Sequence, residues 1–401
     1  MPNTLVPLPA PEPGRMPHVC LVAGDAPAAV KIAPIVAAMR RSARVRPLVI
    51  ACGDQTEEVV EALSAFGILP SLVVESTLDG QTTQGAAWLL NTLDRVYADL
   101  APDAVFVQGD NAIAFSAAMA AFWRRIPVVH LDAGVRSHDL TAPFPQEGHR
   151  RLIAQISSLH LAATADAAAN LACEAHGGPK VVTVGSTAVD AGFGAIERHH
   201  EHADDRVRAL EEAVLHGGSR MVLVCLDSTR WSQDDLAAVL HGVADLVLAT
   251  PDLEVVLPAA YDSELRLVAD DVLGRLVRVT IIDPVDHTDQ VCLLSIAAAV
   301  VTDSNVLAEQ APSFGVPVLV LVGGVGAWAE PERPGYPWTA SPERGLVARI
   351  AEKLVLSQVE RLAVPPAHNP FGDGFAAVRC EQAVEWLLGL RSRPREFAPE
   401  L

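Results

Sequence analysis

Three acidic residues in the first half of the chain each stand at the end of an expected element. Asp110 follows the run DAVFVQG, so a strand there would aim its carboxylate beyond the carboxyl edge of a sheet. Asp132 follows VVHL in the same way and precedes a Gly134 turn. Glu147 lies in PFPQEGHRR, where Pro145 favours a helix start and the helix dipole favours an acid in the first turn. Two or three carboxylates around one crevice can abstract and deliver protons when their surroundings push their pKa values apart. Taken singly, each reads more simply as a helix cap or a solvated acid.

Those positions imply strands that feed helices. His18–Ala23, Arg46–Ala51, Ala104–Val107 and Val128–Leu131 read as four strands. Helices are expected from Pro27, over Glu57–Phe66 and over Ala112–Trp123. A polar helix is expected over 194–214. Five further strands follow at Met221–Leu226, Glu254–Leu257, Val277–Ile282, Ala298–Thr302 and Val316–Val322. Short Val/Ile/Leu-rich runs separated by helices indicate parallel sheets covered on both faces. The expectation is α/β: two Rossmann-like, doubly wound domains facing a cleft lined by carboxyl ends of strands. Residues 1–16 read as a loose Pro-rich tail, 17–190 as the first domain, 191–375 as the second, and 376–401 as a helix crossing back with a tail.

The 401 residues carry a net charge of −19 and are half hydrophobic. That charge argues against nucleic acid or an acidic membrane as a partner, while leaving room for a small anion in a local basic pocket. No apolar run reaches the roughly 18 residues of a membrane span. The six cysteines lack metal-ligand spacing and read as reduced core thiols in a cytosolic protein. The cluster RHHEHADDR, with His199, His200 and His202, reads as a solvated helix face ahead of a metal site.

Several segments together, over roughly residues 17–390, resemble the non-hydrolysing UDP-N-acetylglucosamine 2-epimerases. The GD pair at 109–110, HLDAGVR against H-x-E-A-G-x-R, and PFPQEGHR against PxPEExNR come in the family's order. VGSTAVDA, IIDPVDH, TDSNVLAEQAPSFGVPVLVL, PERP and AHNPFGDG match later family segments. The resemblance implies a GT-B type fold and epimerisation at C2 of a sugar nucleotide. The anomeric C–O bond breaks, the C2 proton leaves to give a glycal, and re-addition with protonation on the other face inverts C2. It implies proton-transfer roles for Asp110, Asp132 and Glu147. Asp132 stands where the family has Glu, about 1 Å shorter in reach, a displacement that matters for catalysis. It also implies substrate contacts from Lys31, Arg136, His149, Arg150, Asp227, Ser304, Asn305, Glu309, Gln310 and Arg333. No cofactor or metal is implied; the partners implied are a small sugar nucleotide or glycoside and a second copy of the chain.

The departures from the family pattern fall on the leaving-group side. GTRPEAIK becomes GDAPAAVK, which puts Asp25 and Ala26 at a phosphate-facing loop and keeps Lys31. Asp227 and Ala260 replace two histidines, Asn305 and Val306 replace two glycines, Gln310 replaces a ribose-gripping acid and Gln290 an aromatic. Each unfavourable charge near a diphosphate costs about 3 kcal/mol at 5 Å and an effective dielectric of 20. Altered leaving-group specificity is therefore expected. Two other readings stay open: capture of C1 by water or another acceptor in specialised metabolism, and a non-catalytic scaffold. Asp110 and Glu147 are both expected at a solvent-accessible surface, so that amide variants would lose turnover and little stability.

Overall fold

The computed structural model describes residues 15–78, 82–174, 180–202, 205–323, 328–329, 336–357 and 369–398. These form two compact units. The first runs up to Ala191 and resumes over Phe371–Ala398; the second covers Gly192–Pro370. Residues 371–375, expected in the second domain, cluster with the first. The expected tail lies outside the described residues as far as residue 14, and Arg15 is fixed by a two-pronged ion pair to Asp103.

The first unit is built on seven parallel strands: β1 (His18–Ala23), β2 (Arg46–Gly53), β3 (Leu72–Glu75), β4 (Ala104–Gln108), β5 (Val128–Leu131), β6 (Leu159–Ala162) and β7 (Lys180–Thr183). Their order across the sheet is β3-β2-β1-β4-β5-β6-β7. Helices α1 (Ala26–Ser42), α2 (Thr56–Ser64), α3 (Thr83–Leu100), α4 (Ala112–Trp123), α5 (Gln146–Ile156) and α6 (Ala165–Cys173) connect them. The expected third strand is therefore the fourth, since β3 and α3 come before it. β3 was not anticipated because it is a four-residue edge strand with only Val74 buried. Strand β1 shows why the central strands read as continuous apolar runs. Val19, Leu21 and Ala23 face one core layer, while Cys20 and Val22 face the other.

The chain leaves the first unit within α7 (Thr187–His202). The second unit contains α8 (Asp205–Gly217), β8 (Arg220–Cys225), α9 (Gln233–Ala249), β9 (Leu253–Pro258), α10 (Glu264–Val272) and β10 (Val279–Ile282). It continues with α11 (His287–Ile296), β11 (Ala299–Thr302), α12 (Asn305–Gln310), β12 (Val318–Leu321), β13 (Trp328–Ala329), β14 (Trp338–Ala340) and α13 (Arg344–Ser357). The order is β10-β9-β8-β11-β12-β14-β13, parallel except for β13 against β14. The single helix expected over 194–214 is the end of α7 followed by α8. The side chains of His199, His200 and His202 lie outside the described residues.

Helix α14 (Ala376–Leu387) returns to the first unit, where Cys380, Ala383, Val384 and Leu387 join the layer that also holds α1. Asp190 on α7 receives its first turn, accepting from the N–H groups of Ala376 at 3.2 Å and Ala377 at 2.9 Å. Five cysteines are buried; Cys173, expected in the core, is exposed at the end of α6. Among the described residues no helix is long and apolar enough to cross a membrane.

The turn after β5 brings backbone against backbone. Gly134 has φ +88°, and a Cβ there would lie 2.0 Å from the carbonyl oxygen of Ala167 on α6. The Gly134 carbonyl in turn accepts from Asn170 Nδ2 at 3.0 Å. Gly134→Ala combines a left-handed backbone with a backbone clash, and its expected cost is about 2–5 kcal/mol. Urea denaturation of the purified variant measures it, and a midpoint equal to that of the parent would contradict this close approach.

Candidate active site

In an open doubly wound sheet, ligands bind beyond the carboxyl ends of the strands where the strand order reverses. In the first unit that point lies between β1 and β4. The loop after β1 places Asp25 as the N-cap of α1, its Oδ1 accepting from the Ala28 N–H at 2.8 Å. The loop after β4 places Asn111 as the N-cap of α4, with Oδ1 accepting from Ala114 N–H. Asn111 Nδ2 donates to Asp25 Oδ2 at 2.7 Å, so the two loops are joined across the crevice.

Lys31, one turn into α1, is only 4% exposed. It donates to Asp132 Oδ2 at 2.9 Å, and Gln108 Nε2 at the end of β4 donates to the same oxygen at 2.6 Å. Asp132 has φ +57°, a left-handed conformation that Asp tolerates better than most residues. Burial pushes its carboxyl up, but the Lys31 charge and the two hydrogen bonds outweigh burial and hold it below the usual carboxylate range.

Helix α5 carries the second cluster. Arg150 Nε donates to Asp110 Oδ2 at 2.5 Å, and its Nη1 lies 3.5 Å from Glu147 Oε2. Glu147 Oε1 accepts from Arg151 Nε at 2.9 Å, and Oε2 accepts from the Ser137 N–H at 3.0 Å. The 147/150 and 147/151 spacings place both cations over one acid on a single helix face. Burial raises the Glu147 carboxyl, and the Ser137 N–H with Arg151 outweighs it, again leaving the group below its ordinary value. His149 stacks on Phe115 of α4 at 4.9 Å and 7°, and its Nδ1 lies 2.9 Å from the Asp110 carbonyl oxygen. Buried His130 on β5 bonds through Nε2 to the Gly109 carbonyl at 2.8 Å, tying the ends of β4 and β5 together.

Asp110, Asp132, Glu147, Lys31, His149 and Arg150 thus gather at one edge of one sheet. Arg136 does not present its charge there. Its side chain is 1% exposed and grips Glu174 through Nε at 2.5 Å and Nη2 at 2.9 Å. Glu147 corrects the expectation of an accessible acid: it is fully buried, whereas the Asp110 side chain is 27% exposed.

In the second unit the reversal lies between β8 and β11. Asp227 accepts from Thr229 through both its N–H and its hydroxyl, at 2.9 and 2.7 Å, and so braces its own loop. Below it, Asp303 accepts from the Asp227 N–H and from Trp231 Nε1. Ser304 caps α12, Asn305 is exposed and Val306 is buried. Glu309 is half-buried, its carbonyl accepting from Asn369. Gln310 is fully buried, with Nε2 donating to His287 Nε2 at 2.9 Å. Burial and then the charge of Arg198 push the His287 imidazole down to about 3, which keeps it an acceptor. Gln290 donates weakly to Cys225 Sγ at 3.8 Å. Arg333 lies outside the described residues.

Sequence reasoning missed Gln108, Arg151, His130 and Phe115. Arg151 was readable as the i+4 neighbour of Glu147, but nothing in a strand-end glutamine marks it as a carboxylate partner. Because Glu147 is buried among cations, Glu147→Gln is expected to cost about 2–4 kcal/mol. Its folded pKa is lowered, so the contribution is present above the ordinary value of 4.5 and lost as pH falls through the folded value. Urea midpoints of parent and variant should converge in acid; a constant gap, or none at neutral pH, would contradict this assignment.

A family model described as UDP-N-acetylglucosamine 2-epimerase matches residues 37–385. A putative UDP-N-acetylglucosamine 2-epimerase of Thermotoga maritima is 31% identical over 388 residues, 95% of this chain and 99% of its own length. The S. aureus MnaA–UDP co-structure superposes with a TM-score of 0.84 at 27% identity, covering 96% of this chain and all of that one. The Neisseria meningitidis UDP-GlcNAc 2-epimerase bound to UDP-GlcNAc gives 0.80 at 27% identity, covering 93% and 100%. The fold is accordingly α/β of the GT-B type, with two Rossmann-like sheets. On sequence and structure alike, the chain belongs to the UDP-N-acetylglucosamine 2-epimerase family.

Proposed function

We propose that this enzyme is a sugar 2-epimerase that eliminates the C1 substituent of a nucleotide-linked 2-acetamido sugar and adds it back after protonation at C2. The observation that carries the reading is the grouping of three carboxylates with their own cations at the carboxyl edge of one sheet: Asp110 with Arg150, Asp132 with Lys31, and Glu147 with Arg151. Asp110, the most exposed of the three, moves the C2 proton. Lys31 and Arg150 stabilise negative charge as the C1–O bond breaks. Glu147 holds Arg150 in place. Asp132, one methylene shorter than the family's Glu, fixes Lys31. The UDP and UDP-GlcNAc complexes of the S. aureus and Neisseria relatives support a sugar nucleotide as ligand.

The leaving-group side is altered. Asp25 caps α1 where a relative's loop faces phosphate, Asp227 is bound to its own loop, and Gln310 is buried against His287. Ser304 and Glu309 remain in the second unit as leaving-group contacts. UDP is therefore expected to bind with a dissociation constant well above the micromolar range by calorimetry at neutral pH. A tight UDP complex would refute the altered-specificity reading.

The chemistry is tested by exchange. Incubated in deuterium oxide with millimolar UDP-N-acetylglucosamine or with the same sugar on another nucleoside diphosphate, the enzyme should incorporate deuterium at C2 of at least one of them, followed by NMR. Asp110→Asn should lower that rate by about 10²–10⁴-fold. Its folding stability should change by less than about 1 kcal/mol, since the Asp110–Arg150 pair is partly solvated. No exchange in the parent, or undiminished exchange in the variant, would refute the reading.

A further inference from the structure

Inversion at C2 needs one group to take a proton from one face and another to supply a proton to the opposite face. The acids do not provide both. Both oxygens of Glu147 are engaged and its side chain has no exposed surface. Asp132 is held by Lys31 and Gln108. Asp110 is the most exposed of the three carboxylates, its side chain 27% exposed against 11% for Asp132, and Arg150 orients it. A second group is required.

His149 has the geometry for it. A carbonyl oxygen only accepts, so the 2.9 Å contact between Nδ1 and the Asp110 carbonyl requires a proton on Nδ1. In the neutral ring that places the lone pair on Nε2. Among the described residues Nε2 makes no hydrogen bond, and it is not a buried atom. The Phe115 stack fixes the plane of the ring, and the Asp110 carbonyl fixes its rotation. The ring is thus oriented on the same residue whose carboxylate is the first proton acceptor. In the family segment PxPEExNR this position is an asparagine, whose amide cannot serve as a base.

Building on the epimerase reading above, we propose that His149 is the second proton-transfer residue of this enzyme. The Asp110 carboxylate takes the C2 proton, the C–H electron pair becomes the C1=C2 bond, and the C1–O pair departs with the leaving group. For return, a leaving-group oxygen attacks C1 as the alkene pair takes a proton from the Nε2–H of the His149 imidazolium on the opposite face. Asp110 ends protonated and His149 neutral, and exchange with water resets both. The reverse epimerisation uses the same two groups with their roles exchanged.

The two faces separate the test from a structural role. Without His149, Asp110 can still remove the C2 proton and return a deuteron to the same face. His149→Phe keeps the stack and His149→Gln keeps a donor for the Asp110 carbonyl. Both should lose epimerisation by about 10²–10⁴-fold while C2 exchange in the starting epimer persists. In His149→Ala, added imidazole should restore epimerisation. Urea midpoints confirm that each variant is folded. Exchange and epimerisation falling in parallel without imidazole rescue would overturn the proposal, as would unchanged epimerisation. Absence of C2 exchange in the parent would instead overturn the epimerase reading, and this proposal with it.

Discussion

A buried ammonium group must be neutralised, and that constraint organises the first unit. Lys31 is the one charged side chain among the buried residues of α1. Removing it from water costs several kcal/mol unless a carboxylate and further hydrogen bonds meet it. Asp132 and Gln108 meet it from the ends of β5 and β4, so one ion pair aligns a helix with two strands. The chain then has to turn sharply beyond β5, which is why Asp132 and Gly134 both have positive φ.

The second cluster follows the same rule with the signs reversed. Glu147 is a buried anion, and α5 supplies two guanidinium groups one turn later. One of them is left with enough donor capacity to hold Asp110 across the crevice. Three cations and three carboxylates thereby pair off at one sheet edge of a chain whose net charge is −19. Arg136 has no such surplus, because Glu174 uses its fork in bidentate fashion.

Much of this was legible in the sequence. The limits of β1 and α4 match the expected spans because apolar runs and caps mark them clearly. The weak signals were short edge strands, such as β3, and helices whose polar face dominates the count. Residue types at strand ends pointed to Asp110 and Asp132. The burial of Glu147 was not legible, since a first-turn acid looks the same whether solvent or two arginines surround it. The Arg136–Glu174 pair spans 38 residues, and no local pattern encodes it. The link between Gln310 and His287 joins a departure from the family pattern to a residue 23 positions away that gives no sign of it along the chain. Only the fold makes them one hydrogen-bonded unit.

The carboxylate of Asp25 gives α1 a built-in counter-anion. The amino end of a helix attracts negative charge, and here the protein's own side chain already sits there, tied down from the far side by Asn111. An incoming phosphate at that mouth competes with a tethered rival whose effective concentration never falls. Both of its oxygens are already engaged, so the mouth of α1 holds an anion of its own before any ligand arrives.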